Sequence, residues 1–253
     1  MRLHPAINSS ERKVLPFRSA TMSTQIVAQV RDALFARELR PGDFLGTEKD
    51  LAGRFGVSRI VARDALRTLE AQGVVDIKVG SGGGARIARG NARLFAEALA
   101  VQLDLAGVST SEIMDAQRAI ECLAAELAAV NSTAEDHARL HELIVDAEDK
   151  IDDVVAFTRS SREFHLAVAE ASHNRVLVVQ LISLQHVSWP ARNPTLTSKV
   201  ARRILDAHKE LASLIEIRDA AGARRLMDDH VKMIAARRVA EQRDKRPAEQ
   251  DCC

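Results

Sequence analysis

Residues 47–73 read TEKDLAGRFGVSRIVARDALRTLEAQG and predict two helices that are joined by a tight turn. Thr47 and Asp50 have the spacing of a capping box, so the first helix is expected to begin after Thr47. Gly56 ends this helix, because glycine tolerates the positive φ that such a turn requires. Ser58 is suited to cap a second helix, since its hydroxyl can accept a backbone hydrogen bond. The stretch therefore predicts a helix-turn-helix.

The segments on either side extend this unit to a small domain. A helix with apolar residues four positions apart precedes Pro41. Residues 74–79 and 85–88 are typical of short β-strands, and the glycines of residues 80–84 can form the turn between them. A helix, a helix-turn-helix and a β-hairpin in this order predict an N-terminal winged helix-turn-helix domain over residues 20–90.

The rest of the chain is predicted to be helical. Apolar residues recur at helical spacing from about residue 91 onwards. Two further capping boxes are predicted, at Ser109 with Glu112 and at Ser132 with Glu135. We expect a C-terminal all-α bundle of six to seven helices over residues 91–240. The fold class is therefore mostly α, with one β-hairpin in the N-terminal domain.

The two ends of the chain are expected to lie outside these domains. Residues 1–19 mix prolines and serines with charges and show no hydrophobic period, which predicts a mobile N-terminal arm. Residues 241–253 are mostly polar and predict a disordered tail.

The composition excludes several classes of protein. Apolar residues make up 46% of the chain and charged residues 28%, proportions that are typical of a globular protein. Aromatic residues make up only 3%, which is low for an all-β sandwich. No apolar run reaches the ~18 residues of a membrane helix, and no secretory signal is visible, so no membrane partner is expected. Cys122, Cys252 and Cys253 lack the spacing of a metal site, which favours a reducing, cytoplasmic location.

Charge is distributed unequally between the two predicted domains. Residues 1–90 contain 15 Lys and Arg but 9 Asp and Glu, whereas residues 91–253 contain 21 Lys and Arg but 26 Asp and Glu. A basic domain joined to an acidic one indicates that the basic part binds a polyanion such as nucleic acid.

The second helix of the helix-turn-helix carries the strongest signal for such binding. Arg59, Arg63 and Arg67 recur every four residues, so their guanidinium groups project from one side of the helix. Arginine can bind phosphate or the O6 and N7 atoms of guanine with two hydrogen bonds. Ser58 lies at the helix N-terminus, where phosphate binds readily, and Lys78 adds a positive charge to the wing. A solvated arginine-rich face is the alternative, and the surrounding motif favours DNA.

Three histidines are candidate metal ligands in the helical domain. His165, His208 and His230 each fall in a separate predicted helix among apolar neighbours, and a helical bundle can direct such residues to one point. Three neutral imidazoles would form a Zn-type or Ni-type site with an open coordination position. Spacing alone leaves open the alternative that each histidine is an ordinary core or surface residue.

The N-terminal segment resembles the winged-helix regulators of the GntR family over about residues 22–89. The motifs that carry this resemblance are LRPGDFL at 39–45, TEKDLA at 47–52, FGVSR at 55–59, RDAL at 63–66 and LEAQGVV at 69–75. The resemblance implies that Arg59, Arg63, Lys49 and the wing near Gly80 contact operator DNA. Lys49 departs from the pattern, since arginine is commoner there and a bidentate contact would become a point-charge contact.

The C-terminal segment resembles the effector domain of the FadR branch of this family over about residues 91–235. The motifs are RAIE at 118–121, EFH at 163–165, ASHN at 171–174, His208 followed by Leu211 and Ile215, and MDDH at 227–230. The resemblance implies a metal held by one Asp and three His, which match His165, His208 and His230. Ser161 stands in the position of the Asp. A three-histidine site, a weakened site and a metal-free anion site are all open.

The same resemblance implies that the helical domain binds an effector, most often a small organic acid. Arg118 is the candidate carboxylate clamp, and a salt bridge to Glu121 or to a neighbouring helix is the alternative.

The predicted function is that of a transcriptional regulator that acts as a repressor. We expect a homodimer that binds a pseudo-palindromic, double-stranded operator, and an effector that shifts the population between dimer geometries. Such a protein would be cytoplasmic and associated with the nucleoid when bound to DNA. Two alternatives are a regulator with a degenerate, metal-free pocket and a helical metallohydrolase that activates water at the three histidines.

Overall fold

The computed structural model describes residues 21–80, 82–188 and 196–245. The chain divides into two compact units, Met1–Asn91 and Ala92–Cys253. The described residues are mostly helical and include one small sheet, as the sequence predicts.

The N-terminal unit contains three helices and three strands among its described residues. These elements are α1 (Met22–Phe35), β1 (Phe44–Gly46), α2 (Glu48–Phe55), α3 (Arg59–Ala71), β2 (Val75–Lys78) and β3 (Gly84–Ile87). The strands form one antiparallel sheet in the order β1-β3-β2. The predicted hairpin is therefore present as β2 and β3. Strand β1 was not predicted, because a three-residue strand that ends in glycine is too short for a hydrophobic period.

The predicted caps of the helix-turn-helix are confirmed. Thr47 and Asp50 form the capping box of α2, with both reciprocal hydrogen bonds present. Gly56 has φ of 63°, in the left-handed region that favours glycine, and this conformation ends the helix. Ser58 caps α3, because its side chain accepts a hydrogen bond from the backbone N–H of Val61. These local interactions fix where α3 begins.

The C-terminal unit contains seven helices among its described residues. They are α4 (Ala92–Leu105), α5 (Thr110–Asn131), α6 (Ala134–Asp149), α7 (Val154–Ala171), α8 (Arg175–Ser188), α9 (Ser198–Glu216) and α10 (Ala220–Lys245). This number lies within the predicted six to seven. Helix α5 packs against α7, α8, α9 and α10 and so lies at the centre of the bundle.

One predicted cap is wrong by one residue. The capping box of α6 consists of Thr133 and Asp136, whereas the sequence analysis assigned it to Ser132 and Glu135. Both pairs have the required spacing, so the pattern could not separate them. Ser132 ends α5 instead, and its buried hydroxyl contacts the ring of His137.

The ends of the chain differ in part from the expectation. Residues 241–245 continue α10, although the sequence analysis placed them in the tail. This segment reads EQRDK and contains no helix-breaking residue, so a polar composition alone did not mark the helix end. The predicted arm at residues 1–19 and the rest of the tail at residues 246–253 lie outside the described residues. Among the described residues, no helix is long and apolar enough to cross a membrane.

Candidate nucleic-acid interface and metal centre

Helix α3 separates an arginine face from an apolar face. Arg59, Arg63 and Arg67 are all exposed. The residues that hold the helix against the rest of its domain are buried, namely Ala62, Ala65, Leu66 and Leu69. The structure therefore places the three predicted DNA-contacting arginines along one accessible stripe. Ile60 lies beside them as an exposed apolar residue.

Arg63 is not free in this stripe. It donates two hydrogen bonds to Glu48 of α2, from Nε to Oε1 at 2.7 Å and from Nη2 to Oε2 at 2.8 Å. The hydrogen bond from Arg63 lowers the pKa of Glu48 below its ordinary value, against a smaller opposing effect of burial. The charges of Arg67 and Arg59 lower this pKa further. Glu48 was not among the predicted site residues.

The other predicted DNA contacts are also accessible. Lys49 lies in the first turn of α2, and Lys78 ends β2 opposite Gly84; both lysine side chains are exposed. Ser58 is exposed but already caps α3. Gly80 has φ of 109° at the start of the wing turn, a conformation that side-chain-bearing residues rarely adopt.

The three predicted histidines converge in the C-terminal unit. His165 of α7, His208 of α9 and His230 of α10 are 7%, 1% and 5% exposed. One ring nitrogen of each lies within 4.8 Å of the others. A zinc site in a protein needs at least three His, Cys, Asp or Glu side chains close together. In the part of the chain that the structure describes, these three histidines form the one such group.

A buried carboxylate supports this cluster from α5. Glu121 accepts a hydrogen bond from Nδ1 of His165 through one carboxylate oxygen, and Gln117 donates to the other oxygen at 2.5 Å. Because an ionised carboxylate can only accept, His165 carries a proton on Nδ1. In the neutral ring, the lone pair then lies on Nε2, which is 3.2 Å from Nε2 of His230.

Electrostatics favour the neutral forms of His208 and His230 and the ionised form of Glu121 in this cluster. Burial, followed by the nearby rings of His165 and His230, lowers the pKa of His208 well below its ordinary value. Burial also lowers the pKa of His230 to about 3. Burial opposes ionisation of Glu121, but interactions with His165 outweigh it and the pKa of this carboxyl is lowered overall. Neutral imidazole is the form that binds metal.

The donor set fits a divalent cation. Two nitrogens that each lie about 2.0–2.1 Å from a tetrahedral Zn²⁺ would be about 3.3 Å apart, close to the spacing of the two Nε2 atoms. Nε2 of His208 is buried and has no hydrogen-bond partner among the described residues, an arrangement that is costly unless a ligand satisfies it. A histidine that donates its second N–H to a carboxylate is the usual arrangement at such sites. The cluster can therefore accept Zn²⁺ or Ni²⁺ through its three rings.

Ser161 and Arg118 lie beside this cluster without joining it. Ser161 is half-buried on α7, one turn before His165, and does not belong to the metal-ligating group. Arg118 approaches Asp228 of α10 at 3.8 Å and Asp115 at 3.9 Å. Arg118 therefore pairs with Asp228 of a neighbouring helix and not with Glu121. A salt bridge of this kind was the alternative to the carboxylate clamp.

Glu121 and Gln117 were not predicted to be parts of the site. A usable signal was available, because both follow Ile113 at intervals of four residues along α5. This spacing places them on the face that Ile113 buries, and all three are buried. A carboxylate on the apolar face of a central helix indicates a buried partner, and the histidines supply it.

Comparisons with known proteins agree with both halves of the structure. The model of the bacterial regulatory proteins of the gntR family matches residues 22–84, and the FCD domain model matches residues 112–233. The Uxu operon regulator of Haemophilus influenzae is 30% identical over 203 residues, covering 76% of this chain and 73% of the relative. The putative L-lactate dehydrogenase operon regulatory protein of Escherichia coli is 29% identical over 231 residues, covering 87% and 86%.

A solved structure supports the fold. The GntR protein of Streptococcus agalactiae has a TM-score of 0.59 and 21% identity, covering 85% of this chain and 99% of that chain. The relatives are named as transcriptional regulators and not as enzymes, so the predicted alternative of a metallohydrolase is not supported. The chain therefore belongs to the GntR family of DNA-binding transcriptional regulators and combines its helix-turn-helix domain with an FCD domain.

Proposed function

We propose that this regulator is a repressor that senses a small carboxylate through a metal held by His165, His208 and His230. The observation that carries the proposal is the convergence of three buried rings, two of which have a ring nitrogen without a hydrogen-bond partner, while Glu121 orients the third, His165. A bound divalent cation would supply a positive centre that attracts a carboxylate. Arg118 would bind the same anion at the edge of the site, in exchange for its pairing with Asp228.

The chemistry of one relative suggests a class of effector. This relative, from Escherichia coli, is named as a putative regulator of an L-lactate dehydrogenase operon, and L-lactate is a small hydroxy acid. A hydroxy acid offers a carboxylate and a neighbouring hydroxyl oxygen, both of which are hard ligands that suit a divalent cation. Small hydroxy acids are therefore the first effectors to test on this chain.

Metal binding can be tested by removing or adding a ligand. We expect protein purified without an affinity tag to contain close to one equivalent of divalent metal, as measured by elemental analysis. His208→Asn should lose this metal, because the most deeply buried of the three rings is removed. Ser161→Asp should bind Zn²⁺ about tenfold or more tightly, because an anionic ligand would be added one turn from His165.

The matched controls for metal binding are His137→Asn and His141→Asn on α6. These rings lie outside the cluster, and the substitutions should leave the metal content unchanged. Less than a tenth of an equivalent in the wild type, with no uptake when Zn²⁺ is added, would refute the metal centre. The same protein would then be a regulator with a metal-free pocket, the outcome that Ser161 leaves open.

A homodimer is part of the proposal, and an exposed apolar surface on α4 and α8 supports it. Val101 and Leu105 lie four residues apart on α4, and Val176 and Val179 lie three apart on α8; all four are exposed. Helices α4 and α8 pack against each other, so the two pairs belong to neighbouring elements. We assign this surface to a second copy of the chain, since two recognition helices are needed to bind a pseudo-palindromic operator about one helical turn apart.

The double substitution Val101→Glu with Leu105→Glu is expected to yield a monomer. Two carboxylates in an apolar surface that pairs with a second copy would be buried without partners, and the same charges would be added on both sides of the interface. Light scattering after gel filtration measures the mass directly. Val145→Glu, on an exposed position of α6, is the control and should remain dimeric. A double variant with the wild-type dimer mass would contradict the assignment of this surface.

The proposed cellular location follows from the proposed role. A repressor that binds an operator and senses a small metabolite acts in the cytoplasm, on the nucleoid. Fractionation of cells that express the untagged chain would place it with DNA at low salt and release it at high salt.

A further inference from the structure

The ion pair between Glu48 and Arg63 joins the two helices of the helix-turn-helix in a defined geometry. The two planar groups meet edge to edge through a pair of parallel hydrogen bonds of 2.7 and 2.8 Å. Arg63 remains 52% exposed and Glu48 37% exposed. An exposed ion pair of this kind contributes little to folding stability, so its position on the candidate DNA surface is the more informative property.

The pair leaves the base-reading edge of Arg63 available. A guanidinium group has five N–H donors, and Glu48 accepts from Nε and from Nη2. Of the remaining donors, one on Nη1 and one on Nη2 point in the same direction, along the long axis of the side chain. Two parallel donors match the O6 and N7 acceptors of guanine. Glu48 therefore fixes the plane of the guanidinium without using the edge that can read a base.

Glu48 also places a negative charge within the arginine stripe. Its carboxylate contacts Arg63 directly, and the charges of Arg67 and Arg59 also lower the pKa of this carboxyl. Phosphate contacts dominate the affinity of a protein for DNA of any sequence. A carboxylate beside the stripe weakens this general attraction, and only a well-placed contact with a base can offset the loss.

We infer that Glu48 is a positioning residue that sets Arg63 to read one guanine of the operator and disfavours DNA that lacks it. The inference rests on the proposed docking of α3 in the major groove. Because the guanidinium is oriented before binding, Arg63 loses less side-chain freedom when it meets the base. Glu48 thereby raises the ratio of operator affinity to non-specific affinity.

The test compares Glu48→Gln with the wild type on two kinds of DNA. The operator is the duplex that the full-length wild type selects from a random library, and a scrambled duplex of equal length measures non-specific binding. We expect Glu48→Gln to bind the operator about tenfold more weakly and the scrambled duplex as well as or better than the wild type. Replacing each guanine of the operator in turn by 7-deazaguanine removes the N7 acceptor at that position. The position where this replacement lowers the affinity of the wild type most should show a smaller loss of affinity with Glu48→Gln.

Two further variants separate the possible outcomes. Asp64→Asn removes one acidic charge from an exposed position of α3 and should raise the affinity for the operator and for the scrambled duplex by the same small factor, with the 7-deazaguanine pattern unchanged. Arg63→Ala should lose the same guanine preference. If Arg63→Ala binds the operator like the wild type, α3 does not dock in the major groove as proposed, and Glu48 has no positioning role. If Arg63→Ala loses binding but Glu48→Gln keeps the wild-type pattern and affinity, only the role of Glu48 is overturned.

Discussion

Replacing Phe164 with alanine is expected to destabilise the helical domain by about 3–5 kcal/mol. Phe164 is 1% exposed and belongs to the main apolar core of the C-terminal unit. Its ring stacks on His208, with centroids 4.2 Å apart and planes 14° from parallel. The substitution therefore removes both a large buried side chain and the surface that orients one of the three candidate metal ligands.

Urea unfolding followed by circular dichroism measures the loss of stability, and Zn²⁺ titration measures the second effect. Phe164→Leu should lose less stability, because it retains most of the buried apolar volume, but should also weaken Zn²⁺ binding. Val155→Ala, at an exposed position on the same helix, should change the free energy of unfolding by less than about 0.5 kcal/mol. An unfolding midpoint of Phe164→Ala equal to that of the wild type would show that the packing of α7 on α9 is not as described.

Replacing Arg59 or Arg63 with alanine is expected to weaken operator binding by about 1–3 kcal/mol each. Both guanidinium groups lie on the accessible stripe of α3, and each can make a bidentate contact with guanine. If an arginine reads a base, its replacement should lower the affinity of the protein for the operator much more than its affinity for scrambled DNA. Fluorescence anisotropy with labelled duplexes at several salt concentrations separates the two contributions, since phosphate contacts appear in the salt dependence.

Arg31→Ala is the matched control for these two variants. It removes one positive charge from an exposed position of α1 in the same domain. We expect a small loss that is equal for the operator and the scrambled duplex, with a slightly shallower salt dependence. If Arg59→Ala and Arg63→Ala behave like Arg31→Ala, the arginines act only as general charge and α3 does not read bases.

Local signals were sufficient to predict most of the fold. Capping residues and helix-breaking glycines act within one turn of the chain, so Thr47, Gly56 and Ser58 fixed α2 and α3 without knowledge of the rest. At the start of α6 the capping pattern could not locate the cap, because two overlapping pairs of residues have the same spacing. Strand β1 depends on pairing with β3, some 40 residues later in the sequence, and no local period could predict it.

The site was predictable in its ligands but not in its supporting residues. Histidines on three separate helices could be named because imidazole is a common metal ligand and because the segment resembles the FadR branch, whereas spacing alone was a weak signal. Their convergence depends on how the helices pack, and spacing within one helix does not determine it. Glu48 and Glu121 act through partners 15 and 44 residues away, and an isolated glutamate in a helical sequence is most often solvated. The pairing of Glu48 with Arg63 therefore became visible only with the tertiary contacts, whereas the burial of Glu121 could be inferred from its spacing to Ile113.

If the histidine cluster controls the DNA binding of α3, effectors should change the affinity for the operator through that cluster. The wild type and His208→Asn would be stripped with a chelator, supplied with one equivalent of Zn²⁺ and titrated with operator in a series of small carboxylates that begins with L-lactate. We predict that at least one hydroxy acid changes the Kd of the wild type by about 5–150-fold, the usual range of allosteric coupling, and leaves His208→Asn unaffected. An unchanged Kd of the wild type across the series, or an equal change in both proteins, would contradict the account.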